Sequence, residues 1–236
     1  MASSFRFKQF SVENERSAMK VGTDGVLLGA WAQLRDSDLE ILDAGTGTGV
    51  IALMLAQRSA ETGSRILGID IDPLSVEEAA SNFSNSPWRE RLEARCLDFR
   101  KMEGGHLDLI VSNPPYFVNS LKAPEQRRST ARHTDTLSYR ELVESAFRNL
   151  SPSGRLAVIL PVSESSSFIF EAVGQGFSIT RKTLVRTTEA RPPKRILIEA
   201  SRKHFPTKEE SILTMQDAAG YTDSYRKLTV EFYLNF

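Results

Sequence analysis

The sequence predicts an α/β protein, a mostly parallel sheet with helices on both faces. Two observations lead there. Short apolar runs alternate with amphipathic stretches through most of the 236 residues, the order that gives parallel strands joined by crossover helices. The first core run ends in clustered glycines that open a helix, and glycines there let a ligand approach the backbone closely. A chain of this length buries one substantial core, and no internal repeat or low-complexity linker divides it. One domain is expected, with an arm and helix over residues 1–36, a core over 37–204 and an appendage over 205–236.

The elements follow in order. Phe5, Phe7 and Phe10 suggest a short strand or arm packed on the catalytic face. Thr23-Asp24-Gly25 reads as a turn and N-cap before a helix over 26–34. Residues 39–43 form the first core strand and 50–59 the helix after the glycines. A second strand covers 65–71; Asp72 then caps a helix that starts at Pro73 and runs to about 85, because proline suits the first helical position. Strands follow at 93–97 and 107–112, a helix at 139–150, a turn at Ser151-Pro152-Ser153-Gly154 and a strand at 155–160 closed by Pro161. Residues 177–185 and 195–200, joined through Pro192-Pro193, read as a terminal hairpin with one antiparallel strand.

Composition excludes several classes. Apolar residues make up 40% and charged residues 25%, the balance of a globular protein. No run is long and apolar enough for a membrane span, and residues 1–10 carry no signal-peptide core, so the expected location is the cytoplasm. Cys96, the only cysteine, excludes an internal disulfide and reads as a core residue on its strand. His106, His133 and His204 lie beside no cysteine pair, so no metal is expected. Net charge is zero, yet two stretches are basic: residues 121–133, with four Lys/Arg against Glu125, and 181–204, with eight against Glu189 and Glu199. Each is either a polyanion-facing surface or a solvated face.

Asp43-Ala44-Gly45-Thr46-Gly47-Thr48-Gly49 stands at the first strand's carboxyl end, where open α/β sheets bind ligands. Val50 occupies the place of the third glycine in G-x-G-x-x-G, so the dinucleotide fingerprint fails. The spacing instead resembles the first motif of class I methyltransferases, which implies S-adenosylmethionine as cofactor. Asp70, ending the second strand beside Ile71, can accept from vicinal ribose hydroxyls. Asp72 competes but has a sufficient task as helix cap. At the third strand tip Asp98 offers an acceptor for an adenine amino group, and Phe99 a ring to pack on the base.

The fourth strand ends in Asn113-Pro114-Pro115-Tyr116. Two prolines stiffen the turn and fix its carbonyls. The Asn113 side-chain oxygen and the Pro114 carbonyl can accept both hydrogens of one planar amine, which lets its nitrogen pyramidalise towards a methyl donor and stabilises the charge that develops. Tyr116 supplies a stacking face. This quartet resembles the fourth motif of methyltransferases acting on amino nitrogens of adenine, guanine or glutamine. With Phe5-Arg6-Phe7-Lys8-Gln9-Phe10, the stretch from Ala18-Met19-Lys20 through Ala30-Trp31, Ala131-Arg132-His133 and the segment from Tyr221-Thr222 to Phe232-Tyr233, nearly the whole chain resembles the bacterial tRNA1(Val) (adenine-37-N6)-methyltransferase family.

That resemblance implies a Rossmann-like, mostly parallel seven-stranded sheet with a C-terminal antiparallel hairpin. It also implies N6-methylation of an adenine in tRNA, with direct transfer from S-adenosylmethionine and the two basic stretches holding RNA. Lys20, Thr23 and Asp24 would lie near the methionine end of the cofactor, with Asp24 facing its ammonium. Thr46 and Gly49 would join Asp43, Gly45 and Gly47 in the cofactor loop. His133 reads as a proton acceptor or as a structural or RNA-facing residue. Methylation of adenine or guanine in rRNA is the main alternative. Glutamine methylation is weaker, because such enzymes carry a sizeable helical domain ahead of the glycine loop and here only 42 residues precede Asp43.

Overall fold

The computed structural model describes residues 4–17, 19–114, 137–204 and 209–235. It opens with an antiparallel pair, β1 (Ser4–Arg6) and β2 (Ser11–Glu13), then α1 (Thr23–Trp31), β3 (Glu40–Ala44), α2 (Val50–Arg58), β4 (Arg65–Asp70), α3 (Pro73–Ser84), β5 (Leu92–Cys96) and β6 (Leu107–Ser112). After α4 (Tyr139–Asn149) come β7 (Leu150–Pro161), α5 (Ser165–Gln175), β8 (Ser178–Arg186), β9 (Arg195–Ser201) and β10 (Glu209–Thr214). Two short strands, β11 (Gln216–Asp217) and β12 (Gly220–Tyr221), lead to α6 (Asp223–Thr229).

Among the described residues the main sheet has eight strands in the order β10-β8-β9-β7-β6-β3-β4-β5. β9 runs antiparallel to both β7 and β8. Seven of these strands match the expectation. The eighth, β10, falls in the segment expected to be an appendage but pairs parallel with β8 at the sheet edge. β3 lies between β4 and β6, so the chain reverses direction across the sheet there. That reversal opens a crevice beyond the carboxyl ends of these strands.

Alternating side chains feed two cores. Ile41, Leu109, Val111 and Ile159 pack under α1, α2 and α3, whereas Leu42, Ile110, Val158 and Leu160 pack under α4 and α5. α1 and α2 are apolar nearly all round because each is covered on both sides, by the sheet and by an outer layer of the arm and α6. A Cβ on Gly29 would stand 2.8 Å from Met54 Sδ, so this glycine sets how closely the two helices pack. α4 starts in a reciprocal capping box between Ser138 and Glu141.

Several local expectations change. α1 begins at Thr23, with Gly22 as N-cap, so Thr23, Asp24 and Gly25 are its first turn rather than a turn before it. Residues 151–154 continue β7, which pairs with β6 through an irregularity near Leu107. Cys96 is exposed: it is the last residue of β5, the edge strand of the sheet. The arm does not reach the catalytic face: Phe7 stacks 4.6 Å from Phe10 and 6.2 Å from Tyr233, and Phe10 meets Trp88 at 5.8 Å. Apolar rings there seal α2 and α3 from water.

Candidate functional site

At the reversal point a cleft of about 640 Å³ opens over the ends of β3, β4 and β6, within the size range of small-molecule sites. Its floor is the glycine loop. Gly45, Gly47 and Gly49 have φ of 78°, 54° and 81°, a left-handed conformation open to glycine with little strain. A Cβ on Gly45 would meet nothing within 4 Å, so this glycine borders open cleft. At Gly49 a Cβ would fall 2.5 Å from the Phe83 ring. Gly49 therefore serves loop-to-α3 packing, and it does not line the cleft as its assignment to the cofactor expected.

Asp43 stands at the carboxyl end of β3, as read from the sequence. It is wholly buried beneath the loop, where one carboxylate oxygen accepts from Thr46 Oγ1 at 2.8 Å and from Ala52 N at 3.2 Å. The other oxygen has no hydrogen-bond partner, and burial pushes the Asp43 pKa up to about 7. Its task is to fasten Thr46 and the start of α2. Thr46 and Gly47 line the cleft above it.

Asp70 ends β4 on the cleft. Its two oxygens accept from Gly47 N and Asp72 N, each at 3.0 Å, which fixes the carboxylate on the cleft wall. Asp72 caps α3 through Leu74 N and Ser75 N, as its position before Pro73 predicts. Ile71, 48% exposed, adds an apolar surface to the wall. Asp98 and Phe99 line the next stretch. Asp98 is held by Arg100, whose Nε and Nη2 donate at 2.9 and 2.8 Å, and this guanidinium lowers the carboxyl pKa. Arg100 has no role legible in the sequence; an arginine two residues past a strand tip carries no local signal.

The opposite wall is formed by residues 15–17 with Met19 and Lys20. Buried Glu78 of α3 accepts from three successive backbone N–H groups, Glu15 at 2.5 Å and Arg16 and Ser17 at 2.8 Å. The Ser17 hydroxyl then donates to Met19 O at 3.1 Å. Sequence reading misses Glu78 because more than 60 residues separate it from the segment it holds. Lys20 lines the cleft, with its amine donating to Glu15 O at 2.7 Å. Thr23 and Asp24 follow in the first turn of α1, and Asp24 is ion-paired with Arg195 of β9 at 2.8 Å.

Asn113 and Pro114 close the cleft at the end of β6. Ser112 Oγ donates to Ala44 O at 2.8 Å and locks the β6 tip to the β3 tip. The Asn113 amide nitrogen points at Met19 Sδ, 3.6 Å away, which puts its oxygen on the opposite side of the amide. Pro115, Tyr116, His133 and the basic stretch 121–133 lie outside the described residues.

The second basic stretch is split by its own hairpin. Arg186, Arg191, Lys194 and Arg195 flank the β8–β9 turn, at the same sheet edge as Asp70 and Asn113, because Arg195 pairs with Pro161 at the end of β7. The β8–β9 turn therefore stands at the end of the sheet where the cleft opens, and residues 201–204 at the other end. Arg181 lies over the Trp31 ring at 3.6 Å and donates to Trp31 O, and Arg202 donates to Leu150 O, so both serve the fold. Arg191 and Lys194 remain exposed beside the β8–β9 turn.

A glycine floor, a fixed carboxylate at the second strand tip and an amide-proline edge surround one cleft. Residues 21–182 match the family model described as methyltransferase small domain. The chain is 48% identical over 234 residues to the tRNA1(Val) (adenine(37)-N6)-methyltransferase of Bacteroides fragilis, covering 98% of this chain and 97% of that one. It is 45% identical to the namesake of Aliivibrio fischeri over 100% and 99% of the two chains. The chain belongs to the tRNA1(Val) (adenine(37)-N6)-methyltransferase family. In fold it is similar to the crystal structure of a predicted O-methyltransferase from Agrobacterium tumefaciens, with a TM-score of 0.71 at 17% identity over 89% of this chain and 96% of that one.

Proposed function

We propose that the protein methylates N6 of adenine 37 in tRNA1(Val) with S-adenosylmethionine as donor. The observation that carries this is the convergence of Asp70, Gly45–Gly47 and Asn113-Pro114 on one cleft in a chain of this family. The residues present fit the cofactor: open space above Gly45 admits a ligand against backbone, and the fixed Asp70 carboxylate suits a ribose diol. Ile71 and Phe99 would flank the adenine, Asp98 would accept from its amino group, and Lys20, Thr23 and Asp24 would surround the amino-acid end. Bound there, S-adenosylmethionine supplies an electrophilic methyl group on a sulfonium sulfur.

The protein's own work is placement. Asn113 Oδ1 and the Pro114 carbonyl would accept the two N–H groups of the target amine, drawing its lone pair out of the ring and stabilising the positive charge as the N–C bond forms and the methyl's bond to sulfur breaks; one N–H proton would then leave to solvent, giving the neutral methylated amine. Pro115 would stiffen that edge and Tyr116 would stack on the base. No nucleophile from the chain is required. A stacked loop adenine has to be turned out to reach the cleft, and Arg191 and Lys194 on the neighbouring hairpin would hold phosphates as it does. A tRNA substrate places the reaction in the cytoplasm. Among the described residues no helix is long and apolar enough to cross a membrane.

The test is to incubate the protein with labelled cofactor and total RNA from a strain lacking the gene, then map the methylated nucleoside. Label at N6 of adenine 37 of tRNA1(Val) is the expected result. Label in ribosomal RNA, or only in protein, would overturn this function.

A further inference from the structure

Asp24 and Arg195 carry separate meanings in the sequence, 171 residues apart, yet the fold makes them one ion pair. We propose that Arg195 is a positioning residue for the amino-acid end of the cofactor, acting through Asp24. This rests on the placement of that end against Asp24 proposed above.

Asp24 lines the cleft from the first turn of α1, whose N-cap, Gly22, offers no side chain. The first N–H groups of a helix lack intrahelical partners and attract a nearby carboxylate. A mobile Asp24 therefore has local alternatives to facing the cleft. Arg195 removes that freedom: its Nε holds Asp24 Oδ2 at 2.8 Å, with only 33% and 23% of the two side chains exposed. Arg195 is itself on rigid backbone, paired at the start of β9 with Pro161 on one side and Val185 on the other. It is not among the residues lining the cleft, so it stands behind the carboxylate rather than beside the ligand. A carboxylate fixed before the ligand arrives spares the ordering cost that a free side chain adds to binding.

The ligand's own parts supply the test. S-adenosylhomocysteine has the amino-acid end and 5′-methylthioadenosine lacks it, while both share the nucleoside. Calorimetry on the full chain with each ligand, for wild type, Arg195→Ala, Arg195→Lys and Asp24→Asn, separates a positioning role from a general structural one. Arg195→Ala should weaken S-adenosylhomocysteine by roughly 3–10-fold, the scale of ordering one charged side chain, and leave methylthioadenosine within twofold. Arg195→Lys should restore most of that affinity, and Asp24→Asn should show the same ligand selectivity as Arg195→Ala. Equal weakening of both ligands, or no weakening of either, in Arg195→Ala would overturn the proposal while Asp24→Asn remains selective. If Asp24→Asn leaves both ligands unchanged, the placement of the amino-acid end at Asp24 fails, and the role of Arg195 fails with it.

Discussion

The two ends of the parallel strands carry similar residues and use them in opposite ways. At the amino end Arg155 is fully buried, and its guanidinium meets Asp38 at 2.6 Å and Glu199 at 3.6 Å, with Gln33 O accepting at 2.7 Å. Those charges are closed on one another. At the carboxyl end Asp70 and Asp98 are also tied down, by backbone N–H groups and by Arg100, but each still faces the cleft. The difference is one of placement: Arg155, Asp38 and Glu199 are paired with one another inside the fold, whereas Asp70 and Asp98, though held, keep one side on the cleft.

The largest effect expected is structural. Arg155→Ala leaves Asp38 and Glu199 buried without their partner, which costs about 3–5 kcal/mol, read as a large fall in melting temperature. S-adenosylhomocysteine affinity measured well below that temperature should be unchanged. A variant that melts like wild type would break the contrast between the two ends.

At the other end, Asn113→Ala should lower kcat by about 10²–10³, the scale of removing one preorganised transition-state hydrogen bond, and spare cofactor affinity. Turnover within a few-fold of wild type would remove the amine clamp. Asp70→Ala should weaken cofactor binding by the ~1.5–3 kcal/mol of a hydrogen bond to a charged group, roughly a 10–100-fold rise in Kd. An unchanged Kd would take Asp70 out of the site.

Asp43 sharpens the comparison, since it sits at the carboxyl end yet is buried like the amino-end charges. Its folded pKa of about 7 lies above the unfolded 3.8 because burial disfavours the anion. Between those values the folded state holds the extra proton, so stability attributable to this group is lost as pH rises from about 4 to about 7. Asp43→Asn should flatten that part of the stability profile. Urea melts across this range that keep their slope in the variant would assign the dependence elsewhere.

How much of this is legible in the sequence depends on how far a signal reaches along the chain. Asp72-Pro73, the glycine turn and Asn113-Pro114 are local patterns: the first caps its helix as read, and the other two stand at strand ends beside the cleft. Gly49 reads as part of the cofactor loop because Phe83, which forbids a side chain there, comes 34 positions later and from another element. Cys96 reads as a core residue because a strand's sequence does not say whether it lies at the edge of its sheet. Glu78, which holds residues 15–17, and Arg195 behind Asp24 act on partners 61 and 171 residues away, visible only once the chain is folded. β10, short and with exposed Ile212, lacks the buried apolar run that marks a central strand.

The smallest effect expected concerns the hairpin that brings positive charge to the open end. Arg181, Arg195 and Arg202 have partners in the fold, so substituting them would confuse stability with binding. Arg191 and Lys194 are the exposed members beside the β8–β9 turn. If they hold phosphates, the double alanine variant should bind tRNA more weakly whatever the base sequence, because neutralising a phosphate releases counterions and reads no base. The slope of log affinity against log salt should fall by about 0.7–0.9 for each phosphate no longer held. S-adenosylhomocysteine binding should stay as in wild type, since neither residue lines the cleft. Salt titrations of tRNA binding for the two proteins decide the matter. Parallel lines would mean that this cluster is only a solvated face and that RNA is gripped elsewhere on the carboxyl edge. A reduced slope with intact cofactor affinity would assign the open end two separable tasks, holding the donor and holding the substrate.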